Sequence, residues 1–501
     1  MSQARTGPVV GVLAGAGIVV SLMQTLVVPL IPQLPDLLHT SAANASWAIT
    51  ATLLAGAVAT PVLGRLGDMY GKRKVLLISL ALLVVGSLIC GFSNSLAPMV
   101  VGRALQGIGA GVIPLGISIM RDELPPQKLG SSMALMSSSL GIGGAFGLPL
   151  SAVIAQHASW HALFWISAAL GVLIAGAVVV LVPESPVRSG GRFDVVGTIG
   201  LTIGLVALLL AVSKGGDWGW ASGSTLGMFA VAVVVLPIWG WWELRTEQPL
   251  VDLRTSARRQ VLMTNLASVV VGFAMYAMSL VAPQLLQMPT ATGYGLGQSM
   301  VQAGLWMAPA GLVMMLLSPI SAKLSRAKGP KVSLLVGAVV ITGGYLAALA
   351  LMGHAWGVLV FSCLISGGIA FAYAAMPALI MGAVPASETA AANGLNALMR
   401  SIGTSSSSAV IGVVLAHLTV DFHGHTLPSE SGFRTAFVIG AGAAVLAALV
   451  TLAIPGVRRA AAAKAAAAPV LTVVDGGAGN AAGEGASAGV AGGAAGGAAA
   501  K

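Results

Sequence analysis

The sequence predicts an all-α membrane protein of fourteen transmembrane helices, two six-helix bundles with two helices inserted between them. Three observations predict it: apolar stretches long enough to cross a bilayer, basic residues confined to alternate gaps between them, and a repeat of the second gap in the tenth. Apolar residues make up 56% of the 501 positions and charged residues 8%, which leaves too little polar surface to cover a water-soluble particle of this length. The bilayer must cover it.

A span needs about 20 mostly apolar residues to cross about 30 Å of hydrocarbon. By that ruler the helices lie near 9–31, 46–65, 75–93, 98–119, 131–155, 161–182, 195–212, 223–242, 261–286, 300–321, 332–351, 355–378, 391–418 and 434–455. Residues 1–8 are too short for a separate leader, and no small-residue cleavage pattern follows the first stretch, so it is expected to stay as helix one. Even-numbered gaps carry the cations: Lys72, Arg73 and Lys74, then Arg121 and Lys128, Arg188 and Arg192, Arg245 to Arg259, and Lys323 to Lys331. Arg458, Arg459 and Lys464 follow the last span. On the other side stand only Lys214 and Arg434, with Arg103 inside the outer half of span four. The positive-inside rule then places both termini in the cytoplasm. Orientation accounts for the net charge of +10, so no nucleic-acid partner is expected. Cys90 and Cys363 both fall within spans, which argues against a disulfide framework or a thiolate metal site. The seven histidines, His39, His157, His161, His354, His417, His423 and His425, all fall near the outer side, where neutral polar residues are freely accepted.

Internal symmetry sets the domains. Pro61 to Val75 and Pro319 to Val332, aligned on their prolines, share a basic residue at Arg65 and Lys323, a leucine at Leu66 and Leu324, and a glycine at Gly71 and Gly329. Span five opens with Ala134-Leu135-Met136 and span thirteen with Ala397-Leu398-Met399. The expected domains are an N-terminal bundle at 1–182, two inserted helices and a linker at 183–260, a C-terminal bundle at 261–455, and an alanine- and glycine-rich disordered tail at 456–501.

The second gap carries the sharpest motif, Gly64, Asp68, Gly71, Lys72, Arg73 and Lys74. Glycine suits a backbone that bends tightly or approaches another helix. Asp68 can accept hydrogen bonds from a helix N-terminus or pair with a cation such as Arg121, and a contact of that kind would act as a conformational latch. Span four adds Arg103, Gln106, Gly107, Gly109 and Gly111, and span five adds Gly143, Gly147 and Pro149. On these motifs the chain resembles the major facilitator superfamily, and with its inserted pair it looks like the fourteen-helix drug:proton antiporter branch. Met69 departs from the loop motif, and Pro149 sits one place late for the antiporter helix.

That resemblance implies a major facilitator fold and a non-enzymatic secondary transporter. It would be a monomer in a bacterial cytoplasmic membrane, exporting drugs or other small amphipathic compounds by alternating access, with the proton gradient as energy source and no cofactor or metal. A dedicated exporter of one endogenous metabolite or antibiotic, conferring self-resistance, is the alternative. Arg103 is costly inside a span and needs a wet cavity or a partner; Asp36 is the acid expected to couple it to protons. None of the 15 acids stands in the middle of a span, and Met23 occupies a place where many members of the branch carry aspartate. This shifts weight toward neutral or amphipathic substrates. The expected cavity residues are Gln24, Gln106, Tyr276, Gln284, Trp306 and Asn396, with Asn265, Gln302 and Tyr373 beside them, because amides and aromatics offer adaptable contacts without fixed charge.

Overall fold

Fourteen long helices carry the chain in the computed structural model, which describes residues 6–27, 30, 33–422 and 425–455. They are α1 (Thr6–Thr25), α2 (Trp47–Tyr70), α3 (Lys72–Phe92), α4 (Leu96–Glu123), α5 (Pro126–His157), α6 (His161–Leu181) and α7 (Val195–Trp218). After these come α8 (Gly223–Arg245), α9 (Arg259–Gln287), α10 (Met300–Lys328), α11 (Pro330–Leu351), α12 (Ala355–Met381), α13 (Thr389–His417) and α14 (Glu430–Leu452). Thirteen of the described helices are long and apolar enough to cross a membrane. The fourteenth, α5, is 32 residues long and packs along α1 and α10. A short antiparallel hairpin, β1 (Thr419–Phe422) with β2 (His425–Pro428), joins α13 to α14. The tail from 456 and His423 lie outside the described residues.

The two largest hydrophobic clusters among the described residues hold the bundles. One runs from Ala267 to Ile454 and includes Val271, Ile341, Phe361 and Phe437; the other is built mainly from α1, α3, α4 and α5 around Leu13, Leu80, Leu83 and Met136. Repeat-related glycines make the same joints in both halves. Gly71 (φ +117°) ends α2 and Gly329 (φ +91°) ends α10, so each basic loop turns on a backbone conformation that other residues resist. Gly86, fifteen residues on, lets α3 touch α4: an added methyl would lie 2.4 Å from Gly102 O. At its counterpart Gly344, a methyl would lie 3.0 Å from the Ile365 nitrogen of α12.

The bundles meet through two related pairs, α2 with α13 and α5 with α10. Inserted helix α7 packs against both α2 and α13, and also against α8, whose apolar surface is mostly exposed. Lys214 of α7 is buried, salt-bridged to Asp217 at 3.0 Å, hydrogen-bonded to Ser46 and 5.1 Å from the Trp47 ring centroid, which ties the inserted helix to the start of α2. In the loop after α8, Asp252 accepts from the Arg254 and Thr255 nitrogens at 2.9 and 3.0 Å. Partial burial works to raise its carboxyl pKa, but these bonds and the Thr255 hydroxyl hold it below the ordinary value.

Candidate functional site

At the end of the molecule that carries the basic loops, the motif after α2 closes against the opposite bundle. The Asp68 carboxylate accepts from the backbone nitrogens of Ala390 (3.3 Å) and Ala391 (2.9 Å) in the first turn of α13. Those donors have no partner within their own helix, and the helix dipole favours an anion there. The approach requires Gly64, where an added methyl would stand 2.5 Å from Ala390 O. Lys72 is fully buried between Asp68 (3.6 Å) and Asp122 (2.5 Å), and the Ser185 hydroxyl donates to the same Asp122 oxygen. Beneath Gly71, the Glu184 carboxylate accepts from the Arg73 and Lys74 nitrogens at 3.1 and 3.3 Å and so caps α3. The Arg73 side chain donates to Val179 O at 2.5 Å.

Arg121 is not the cation that faces Asp68 here. It reaches across to the same segment of the other bundle, donating to the carbonyls of Met381 (3.1 Å), Val384 (3.2 Å) and Pro385 (3.3 Å) and to the Thr389 hydroxyl. An arginine thus takes the carbonyls at the end of α12 while an aspartate takes the free nitrogens at the start of α13, each matched to the local dipole. The repeat provides a second contact. Arg326, aligned with Asp68, donates to Gln127 O at 3.1 Å at the start of α5, the helix whose counterpart is α13.

Arg103 is fully buried and sits on carbonyls rather than on an acid. It donates to Ala48 O (3.1 Å), Met23 O (3.2 Å) and Gln106 Oε1 (2.7 Å), and Gln106 in turn donates to Ser87 Oγ (2.8 Å). One network therefore joins α1, α2, α3 and α4. Asp36 is exposed on the turn Leu34–Leu37, and among the described residues no ion pair links it to Arg103, whose donors are taken by backbone dipoles inside the bundle. Gln106 likewise belongs to this network.

The glycines of α5 face α1. A methyl at Gly143 would lie 2.4 Å from Ser21 Cβ and one at Gly147 2.0 Å from Thr25 Oγ1, and the Thr25 hydroxyl donates to Gly143 O at 3.1 Å. Pro149 faces the other bundle, where Gly304 of α10 lets the two helices meet: a methyl there would stand 3.1 Å from the Pro149 nitrogen.

The expected cavity residues separate. Asn396 is buried and donates to Asn265 Oδ1 (2.9 Å) and Ser268 Oγ (2.6 Å), so it joins α13 to α9. Trp306 donates to Gln298 Oε1 at 3.0 Å at the start of α10. Gln284 is exposed and lines an open cavity of 510 Å³ beside the β1–β2 hairpin, together with Ser408 and Thr426. Tyr276 is half-buried and hydrogen-bonded to Ser408, and Gln24 is half-buried on α1. A small cavity between the bundles is lined by Ile117 of α4, Ser137 of α5, Tyr373 of α12, and Asn393, Asn396 and Arg400 of α13. Sequence reasoning passed over Arg400 because it lies within a span, outside the loops where cations are counted. It also missed Asp122 and Glu184, whose roles come only from where α4 and the loop after α6 return.

The family model described as Major Facilitator Superfamily matches residues 13–408. The chain belongs to that superfamily. Among its relatives, the tetracenomycin C resistance and export protein of Streptomyces glaucescens is 29% identical over 83% of this chain and 77% of that protein. Multidrug resistance protein Stp of Mycobacterium tuberculosis (strain CDC 1551 / Oshkosh) is 27% identical over 82% of this chain and 76% of that one. Among solved structures, the human organic anion transporter MFSD10 (TETRAN) superposes with a TM-score of 0.64 at 16% identity, covering 89% of this chain and 99% of that chain, and shares the fold. As a superfamily member the chain is a multi-pass membrane transporter, and the Asp68 and Arg121 bonds at its basic end are contacts between its two bundles.

Proposed function

We propose that this transporter exports drugs or other small amphipathic compounds across a bacterial cytoplasmic membrane in exchange for protons. The basic end, with both termini, faces the cytoplasm, and the protein works as a monomer without a cofactor. The observation that carries the reading is the basic-end closure, in which Asp68 and Arg121 both cross to the junction of α12 and α13. Such bonds exist only while the bundles are together at that end, so making and breaking them is a two-state device for alternating access. The protein is then closed toward the cytoplasm, the state reached after substrate has left on the far side. Relatives named for multidrug resistance and for antibiotic export support the direction.

Purified protein in vesicles with an imposed pH gradient tests this. A fluorescent amphipathic dye is expected to accumulate only while the gradient stands, and to leak at the protein-free rate once an ionophore collapses it. Accumulation that ignores the gradient, or none for any of a panel of dyes, sinks the proposal. A second reading, a dedicated exporter for self-resistance, is favoured by the Streptomyces relative named for resistance to and export of one antibiotic. A narrow substrate panel in the same vesicles would select it.

A further inference from the structure

Arg400 stands about 16 Å along α13 from Thr389, at about 1.5 Å per residue, and so at mid-membrane depth. It is half-buried, and its guanidinium lies 5.1 Å from the centroid of the Tyr373 ring, a cation–π arrangement that fixes the plane of the charge. The Tyr373 hydroxyl is already engaged with Met275 Sδ at 3.2 Å, which holds the ring in place. Among the described residues no carboxylate pairs with Arg400 and no acceptor takes its N–H groups. The carboxylates of the long helices, Asp68, Asp122, Glu123, Asp217, Glu243 and Glu430, all stand near helix ends. An uncompensated cation at this depth is costly and is kept where it faces a cavity and meets a partner.

The cavity it faces lies between the bundles. Ile117 and Ser137 form the wall on one side, Tyr373, Asn393 and Arg400 the wall on the other. In the repeat alignment on Ala134 and Ala397, Ser137 is the counterpart of Arg400, so two repeat-related residues line the same cavity. At 20 Å³ the space holds about one water in this closed state. Because its walls belong to different bundles, it widens when the latch opens. Its cationic wall is closely packed: Gly272 and Gly403 bring α9 and α13 together, with methyls there 2.6 Å from Arg400 O and 1.9 Å from Val269 O.

We propose that Arg400, backed by Tyr373, is the recognition site for an anionic group, a carboxylate or phenolate on an aromatic amphipathic substrate, seated between the bundles. This rests on the export reading and narrows it. A planar guanidinium with unused donors matches a carboxylate through paired hydrogen bonds, and a lysine matches it less well. The site selects against cations.

Fluorescein, an anion, and rhodamine 123, a cation on the same ring skeleton, are suitable probes for equilibrium binding to the purified full-length protein by fluorescence anisotropy. The wild type is expected to bind fluorescein at least tenfold more tightly than rhodamine 123. Arg400→Gln is expected to weaken fluorescein at least tenfold and leave rhodamine 123 within twofold; Arg400→Lys should fall between, and Tyr373→Leu should weaken fluorescein alone. If Arg400→Gln does not purify as a folded species, Arg400→Lys and Tyr373→Leu decide. Unchanged fluorescein binding in the variants, equal loss of both probes, or a wild type that prefers rhodamine 123 overturns the proposal. Charge-selective binding without gradient-driven accumulation in vesicles would instead remove the export reading and leave the anion site standing.

Discussion

Lys72 looks in the sequence like one of three interchangeable cations, yet it is wholly buried between two aspartates while Lys74 is exposed. Removing one partner from a buried ionic cluster leaves the others uncompensated, at about 3–5 kcal/mol. Lys72→Ala is therefore expected to lower the unfolding temperature in detergent strongly, and Lys74→Ala to leave it unchanged. Gly64 sits where α2 meets α13. A methyl 2.5 Å from Ala390 O would have to push α2 and α13 apart, and overpacking of this kind costs about 1–3 kcal/mol, or roughly a 5- to 150-fold shift between two states. Spin labels at positions 74 and 328, with Cys90 and Cys363 replaced by serine, should report longer distances in Gly64→Ala than in the parent. Unaltered distances would mean that the contact does not gate the basic end. That the Asp68 carboxylate would meet a helix N-terminus is legible from its residue type and its place in a tight loop. Its partner is not, because 322 residues separate Asp68 from Ala390.

Glycine matters at the element scale by where it faces. In α5, Gly143 is pressed against Ser21, whereas an added methyl at its neighbour Gly144 meets nothing within 4 Å. Gly143→Ala is expected to destabilise the packing of α1 on α5 by about 1–3 kcal/mol, and Gly144→Ala to be neutral, both read from thermal unfolding of the detergent-solubilised protein. Equal effects would show that α5 tolerates separation from α1. Helix positions follow from apolar length, and ends differ from the sequence reading by a few residues: the first stretch, expected at 9–31, is helical over Thr6–Thr25, and the fifth, expected at 131–155, runs over Pro126–His157. Which face each helix turns inward was not legible, since nearly every position of an apolar span satisfies the lipid equally well. For that reason Gln106 read as a cavity residue and is part of the Arg103 network instead.

On the scale of the whole molecule the two contacts at the basic end are copies, Asp68 against the start of α13 and Arg326 against the start of α5. Asp68→Asn with Arg326→Gln is expected to open the basic end further than either change alone, as read by the same spin-label pair. An Asp68→Asn variant already fully open would show that the second contact contributes nothing. Orientation has its own check. Cysteines placed at 74 and 328 should escape a membrane-impermeant reagent in intact cells, and one at His354 should react. Reaction of either basic-loop cysteine would overturn the proposed orientation.

Hydrophobic length, alternating charge and a repeated loop are one-dimensional quantities, and from them the chain by itself determined the membrane fold, its fourteen helices and the superfamily. Tertiary structure alone decided which charge meets which partner. Arg103 rests on carbonyls, Arg121 crosses to the far bundle, and Arg400, with no carboxylate partner among the described residues, lines the cavity between the bundles. Inside a membrane a charge is placed by the dipoles and space that other helices bring to it, and those come from elsewhere in the chain, 80 residues away for Arg103 and Met23 and 260 for Arg121 and Met381.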